Sequence, residues 1–297
     1  EALTLEGNGT NVINGAMDIT NAGLFTLSDS GGEADLEVNG AFTQSGSGKV
    51  QLESDLTLTA QGAIDIASAL ALAGNGNVTL TTAGAAGDNI VLGTDQTTDI
   101  TGSEQALTLD VGDSGDITVE GNVGAGSALG ALTISSAADA VFKQSLDAAS
   151  FTQTNSTGRT DFEGLVSLSG AFDYTASANT ALLEFTASGN HAIGDAMDVT
   201  LFEDGSGGSD FTLQSGANLD VTNAFTQNVD ASATPGSVAK RHSSARMAFA
   251  LIWGQPSSPC RACLGAFSRK PAATWKIISR SCRLIRNGAA FSKMVRC

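Results

Sequence analysis

Strict alternation limits the folds open to this chain: from residue 2 to residue 230, apolar residues recur at every second position in short bursts, with no proline among them. Leu56-Thr57-Leu58-Thr59, Ile64-Asp65-Ile66, Val78-Thr79-Leu80-Thr81, Leu107-Thr108-Leu109, Ile117-Thr118-Val119 and Leu132-Thr133-Ile134 all follow it. A period of two places one face inward and sends Thr, Asp and Glu to water, which predicts half-buried strands. Gly, Asn, Asp and Ser fill the intervals and supply turns. Strand signals return every ~8–12 residues, as in an all-β protein. Proline first occurs at Pro235. A strand with neighbours on both edges needs every N–H, so this absence favours a stacked solenoid over an array of sandwich modules.

The chain also repeats itself. Ala41-Phe42-Thr43-Gln44 returns as Ser150-Phe151-Thr152-Gln153 and as Ala224-Phe225-Thr226-Gln227. Ala16-Met17-Asp18-Ile19-Thr20 returns as Ala196-Met197-Asp198-Val199-Thr200; Phe25 then answers to Phe211, and Leu36-Glu37-Val38 to Leu219-Asp220-Val221. The matches keep their order, so a long block recurs, and inside it Ala106-Leu107-Thr108-Leu109 is matched at Ala131-Leu132-Thr133-Ile134. A period of ~20–30 residues nested in a longer one is expected of a β-solenoid. Phe42, Phe151 and Phe225, at matching places in the repeat, are expected to be equivalent stacking positions in the core.

Charge divides the chain at Pro235. All 31 acidic residues lie at or before Asp230, against three basic ones (Lys49, Lys143, Arg159), a formal charge of −28. Residues 237–297 carry twelve Lys or Arg and no acid. All four cysteines, both tryptophans and all four prolines also fall at or after Pro235. Two segments are therefore expected: a solenoid region over 1–234 and a disordered or irregular basic, Cys-containing tail over 235–297. The simultaneous switch in composition suggests an out-of-frame reading of the tail. In it, Trp275, Ile278, Cys282 and Ile285 share one helical face among basic residues. Cys260, Cys263, Cys282 and Cys297 lack the second tight knuckle of a tetrahedral zinc site.

Several function classes are disfavoured. A body at −28 repels nucleic acid and anionic membranes. The longest apolar run, 247–253, is far short of the ~18 residues of a membrane span. No signal peptide precedes the pattern, which opens mid-repeat, so an internal fragment of a larger protein is expected. The acid pairs Asp110/Asp113, Asp116/Glu120 and Glu203/Asp204 lack the basic and aromatic partners that sugar cleavage uses. The stretch from Gly205 to Asp210 approaches a calcium-binding glycine-aspartate repeat but occurs once, leaving calcium a weak possibility. His191 is the lone histidine before Pro235, with no Cys to complete a metal set. Gly124, Gly126 and Gly130 lack dinucleotide-binding spacing and read as a loop between coils. No catalytic, cofactor or metal residue is assigned.

The stretch 106–124 (ALTLDVGDSGDITVEGNVG), then 129–134 (LGALTI) and 149–153 (ASFTQ), resembles the β-strand repeat regions of giant bacterial surface proteins of the filamentous-haemagglutinin-like and autotransporter-adhesin-like kind. The resemblance covers residues 2–230. It implies a right-handed parallel β-helix, export to the outer cell surface or beyond, and a structural or adhesive role without catalysis. Its partners would be host or environmental glycans or other surface proteins. The alternatives are a carbohydrate-active β-helix enzyme, lyase or hydrolase, and tandem β-sandwich modules binding calcium or glycan.

Overall fold

In the computed structural model, residues 2–53, 55–74, 76–204 and 208–231 are described, with the short strands Arg246–Met247, Thr274–Ile277 and Leu284–Asn287 beyond them. The alternating segments become strands that wind into an all-β parallel solenoid of about nine turns, without a helix among the described residues. Each turn visits three faces in the same order. The first face stacks 3–7, 25–27, Val50–Glu53, Leu70–Ala73, Ile100–Thr101, Val123, the start of Leu146–Ser156, Val166–Leu168, Gly189–Ile193 and Ala217–Val221. The second stacks 9–13, 34–38, Leu56–Ala60, Val78–Thr82, Leu107–Asp110, Leu129–Ser136, the rest of Leu146–Ser156, Phe172–Ala176, Met197–Glu203 and Phe225–Ala231.

The third face is a separate nine-stranded sheet running from Met17–Thr20 to Asp210–Leu213. The first two faces merge into one sheet because Leu3–Ile13, Phe25–Val38 and Leu146–Ser156 continue around the corner between them. Pairing within the solenoid is parallel from strand to strand, so separate sandwich modules are not what the chain forms.

The alternation reads directly into burial. Leu56–Ala60, Val78–Thr82 and Ile117–Val119 bury every second residue and leave Thr between them half-exposed. Inward columns run the length of the rod, for example Leu36–Leu58–Leu80–Leu109–Ile134 on the second face. Burying each such side chain contributes ~1.5–3 kcal/mol. Turn length varies with the connecting loops: the chain travels a short way from Leu132 to its partner Phe151, and a longer way from Val78 to Leu107.

From Phe142 onward, aromatic rings replace the aliphatic columns. Phe142, Phe162 and Phe185 stack on the third face at 5.2 and 5.1 Å between centroids, and Phe151 stacks on Phe172 at 4.9 Å on the second. The two columns meet edge-on, Phe151 against Phe162 at 5.3 Å and 81°. Offset stacks and edge contacts satisfy the ring quadrupoles, each pair adding ~0.5–1.5 kcal/mol beyond burial.

The expected equivalence of the three repeated phenylalanines holds only in part. Phe42, Phe151 and Phe225 are all buried, but Phe151 and Phe225 lie on the second face and Phe42 on the third, between Met17 and Ile64. The whole long repeat is rotated by one face. Met17 is on the third and Met197 on the second; Phe25 on the first and Phe211 on the third; Leu36 on the second and Leu219 on the first. Every face demands the same inward–outward alternation, so a strand sequence fits any of them. The repeat is of strands, not of turns.

The glutamine of the Phe-Thr-Gln repeat is buried at a corner. Gln44 Nε2 donates to Asn21 Oδ1 at 2.5 Å, and Gln44 Oε1 accepts from Ser68 N and Oγ at 3.1 Å, tying three successive turns together. Gln153 Oε1 likewise accepts from Thr160 Oγ1 at 2.8 Å. Neighbouring turns satisfy the buried Gln44 amide, whereas Gln153 Nε2 and Gln227 Oε1 are buried without a partner among the described residues. At Gly124, φ is +77° and an added Cβ would stand 2.0 Å from Asp147 O, so the chain turns there only as glycine. Gly130, by contrast, lies in the strand Leu129–Ser136 and not in a loop.

In the tail, Thr274–Ile277 pairs antiparallel with Leu284–Asn287, Trp275 opposite Arg286. The helical face drawn through Trp275 and Ile285 is therefore not formed, since both residues lie in strands. The four cysteines and most of 235–297, including whatever frame they belong to, lie outside the described residues.

Candidate functional site

Of the six paired acids, Asp113, Asp116, Glu120 and Asp204 are bound to neighbouring turns. Asp113 Oδ1 accepts from Ser136 Oγ at 2.6 Å and from Asn155 Nδ2 at 2.5 Å, and Asn155 in turn bonds Ser177. Asp116 takes the backbone N–H of Asp139 at 3.2 Å, and Asp139 takes that of Arg159 at 2.6 Å. Asp99, Asn122 and Ser145 form a parallel series, each Asx oxygen accepting from its counterpart on the next turn. Asp110 closes a local turn by accepting from Gly112 N at 3.1 Å. Glu120 pairs with Lys143 at 2.6 Å, and Asp204 accepts from Asn179 at 3.1 Å. Residues 205–207 of the expected calcium motif lie outside the described residues. Among those described, no group of three or more His, Cys, Asp or Glu stands close enough to hold a metal.

His191 is part of the core. Its ring is fully buried on the first face, edge-on to Phe185 at 4.9 Å. Nδ1 accepts the Val166 N–H at 3.2 Å, and Nε2 lies 3.2 Å from Ala187 O. That pattern assigns the neutral Nε2–H tautomer, with Nδ1 standing in for a ladder carbonyl. Burial pushes its pKa down, partly opposed by the Ala187 hydrogen bond. A folded pKa below the unfolded value of ~6.5 gives stability that is full above ~6.5 and is lost as pH falls from there through the folded value. Denaturant midpoints should therefore fall between about pH 7.5 and 5.5 in the wild type, and less in His191→Leu. Parallel slopes in the two proteins would remove this account.

One constellation escaped the sequence reading. Arg159, on the third-face strand Arg159–Phe162, donates from Nε to Glu184 Oε2 at 2.8 Å and from a terminal nitrogen to Asp161. The Asp161 side chain is 0% exposed, and Thr186 Oγ1 donates to its other oxygen at 3.1 Å. Gln214 Nε2 reaches Glu184 Oε1 at 3.5 Å. Burial pushes the Asp161 carboxyl up, against the opposing pull of Arg159 and Thr186. Burial also works against the Arg159 charge, but the Glu184 hydrogen bond and the two carboxylates hold it above its ordinary value. The only signal in the sequence was that Arg159 is the sole arginine before the tail. Its partner Glu184 stands one full turn further along the chain, and only the length of that turn brings them together.

Chemically, this cluster is an arginine paired with two carboxylates on the outward side of a sheet, one of them, Asp161, fully buried. A second surface feature is an open, polar groove over the second face, lined by Asp35, Asp55, Thr57, Asn77 and Thr79. No family model, curated protein or solved structure matches this chain, and what stands is a parallel β-solenoid repeat fold.

Proposed function

We propose that the chain is a structural and adhesive repeat segment of a bacterial protein displayed on or beyond the outer cell surface, without catalysis. The observation that carries this reading is the continuity of the inter-turn polar ladders, Asp99–Asn122–Ser145 and Asp113–Ser136–Asn155–Ser177. Side chains that could converge on a ligand instead hold one turn to the next. The product is a stiff rod of about nine turns, rising ~4.8 Å per turn and so ~43 Å in all. Function then resides in reach and in repeated surface, with glycans or other surface proteins as partners.

The Arg159–Asp161–Glu184 cluster favours one rival, a carbohydrate-cleaving β-helix, because two carboxylates and a cation there share a face. Presenting the full chain to immobilised acidic and neutral polysaccharides separates the two. Retention with unchanged polymer length, equal in the wild type and Glu184→Gln, is the expected result. New reducing ends or unsaturated uronates that disappear in Glu184→Gln would replace the adhesive reading with the enzymatic one.

A further inference from the structure

The Phe-Thr-Gln repeat offers a comparison inside the molecule. At Gln44 the buried amide is complete: Nε2 donates to Asn21 Oδ1, Ser45 O and Gly48 O, and Oε1 accepts from Ser68. Gln153 carries the same local sequence on another face and is 1% exposed. Its Oε1 accepts from Thr160 Oγ1 at 2.8 Å, but its Nε2 is buried with no acceptor among the described residues. Tyr174 stands in register beside it on the next turn, equally buried, with its hydroxyl unpartnered. Two enclosed donors at adjacent inward positions thus lack acceptors, which a native core does not leave unmet.

The surroundings hold the complementary acceptors. Ser156 and Thr160 are both fully buried, and their hydroxyl oxygens lie 3.4 Å apart. Thr160 gives its proton to Gln153 Oε1, and Ser156 gives its own to Gly158 O at 3.3 Å. Each hydroxyl oxygen therefore keeps lone pairs for a further donor. Burial pushes the Tyr174 phenol up to about 12, and the Ser156 and Thr160 hydroxyls stand near enough to pull it back without bonding it. The sheet is also irregular here. Three residue steps from Gln153 to Ser156 face two from Tyr174 to Ala176, a bulge that bends the strand out of the uniform stack.

We propose that this part of the core binds a single enclosed water molecule. Two donors, Gln153 Nε2 and the Tyr174 hydroxyl, and two acceptors, Ser156 Oγ and Thr160 Oγ1, surround it. Water is the matching ligand: its lone pairs accept from the first two groups and its protons go to the second two. Two of the four groups donate, so a cation has no set of ligands there, and none is charged to hold an anion. A buried water with this many polar partners is a fixed part of the structure. It does for Gln153 what Asn21 and Ser68 do for Gln44, joining the strand Arg159–Phe162 to two successive turns of the second face. The inference rests on the fold alone, so it and the surface-repeat reading stand or fall separately.

Oxygen-17 relaxation dispersion on solutions of the full chain counts long-lived internal waters, and a crystal structure places them. The wild type should show a water within hydrogen-bond reach of Gln153 Nε2, Tyr174 Oη, Ser156 Oγ and Thr160 Oγ1, and none at Gln44 Nε2. Gln153→Met/Tyr174→Phe removes both donors and keeps most of the volume. It should lose one long-lived water from the count and retain the wild-type circular dichroism spectrum. If the double variant does not fold, the wild-type structure decides alone. Gln153 Nε2 turned directly onto the Tyr174 oxygen, with no water at the site, would overturn the proposal. So would an unchanged count in the folded double variant.

Discussion

Phe162→Ala should cost about 3–5 kcal/mol of stability, the range for removing a fully buried aromatic side chain. Phe162 is 0% exposed, stacked between Phe142 and Phe185 and met edge-on by Phe151 and Phe172 at 5.3 and 5.8 Å. The ladders above and below are in register, so neighbouring turns cannot close onto the cavity without breaking backbone pairs. Phe162→Leu, which keeps most of the volume, should cost under about 1.5 kcal/mol. A solenoid is stabilised by nearest-neighbour turns, so the damage should be local. Hydrogen exchange should accelerate in Ala140–Phe142, Phe172–Ala176 and Leu182–Phe185 and stay slow in Leu56–Ala60 and Val78–Thr82. Uniform acceleration would show that the rod unfolds as a single cooperative unit, contrary to this account.

Arg159→Met is the second large effect expected. It removes the cation beside Asp161, whose side chain is fully buried, while leaving Thr186 as its remaining donor. Breaking a buried pair by deleting one partner costs about 3–5 kcal/mol; the Arg159 side chain is 43% exposed, which lowers the expectation to about 2–3 kcal/mol at pH 7. The sign with pH follows from burial. Asp161 is already pushed up, and loss of Arg159 pushes it further. A carboxyl raised in the folded state favours folding below its unfolded value of ~3.9, and that advantage is lost as pH rises through the folded value. The deficit of Arg159→Met relative to wild type should therefore shrink toward about pH 4, and Arg159→Met/Asp161→Leu should recover most of it. A deficit independent of pH, with no recovery in the double variant, would mean that Arg159 acts through packing alone.

Both sites show how far a local reading reaches. Phe142 and Phe151 are recognisable as inward residues because each sits in an alternating run, and burial along a strand is a local property; Phe162 follows two other buried residues, Thr160 and Asp161. That Phe162 stacks on Phe142 and Phe185 depends on the lengths of two whole turns, set by loops that have no fixed period. Asp161 interrupts the alternation without any local sign that it is buried. Asp113 and Asp116 looked like members of catalytic pairs only because each has another acid close by in sequence. In the fold each reaches along the rod to the next turn.

Alternation, proline and charge act through near neighbours. The strands, the direction each side chain takes, the all-β parallel solenoid class and the change of character at Pro235 could therefore be read along the chain. Which face each strand joins could not, as the rotation of Met17 against Met197 and of Phe42 against Phe151 shows. Three parallel faces impose the same alternation, so nothing local distinguishes them. Only the accumulated lengths of the turns, expressed in three dimensions as register, set Arg159 against Glu184 and Gln153 against Tyr174.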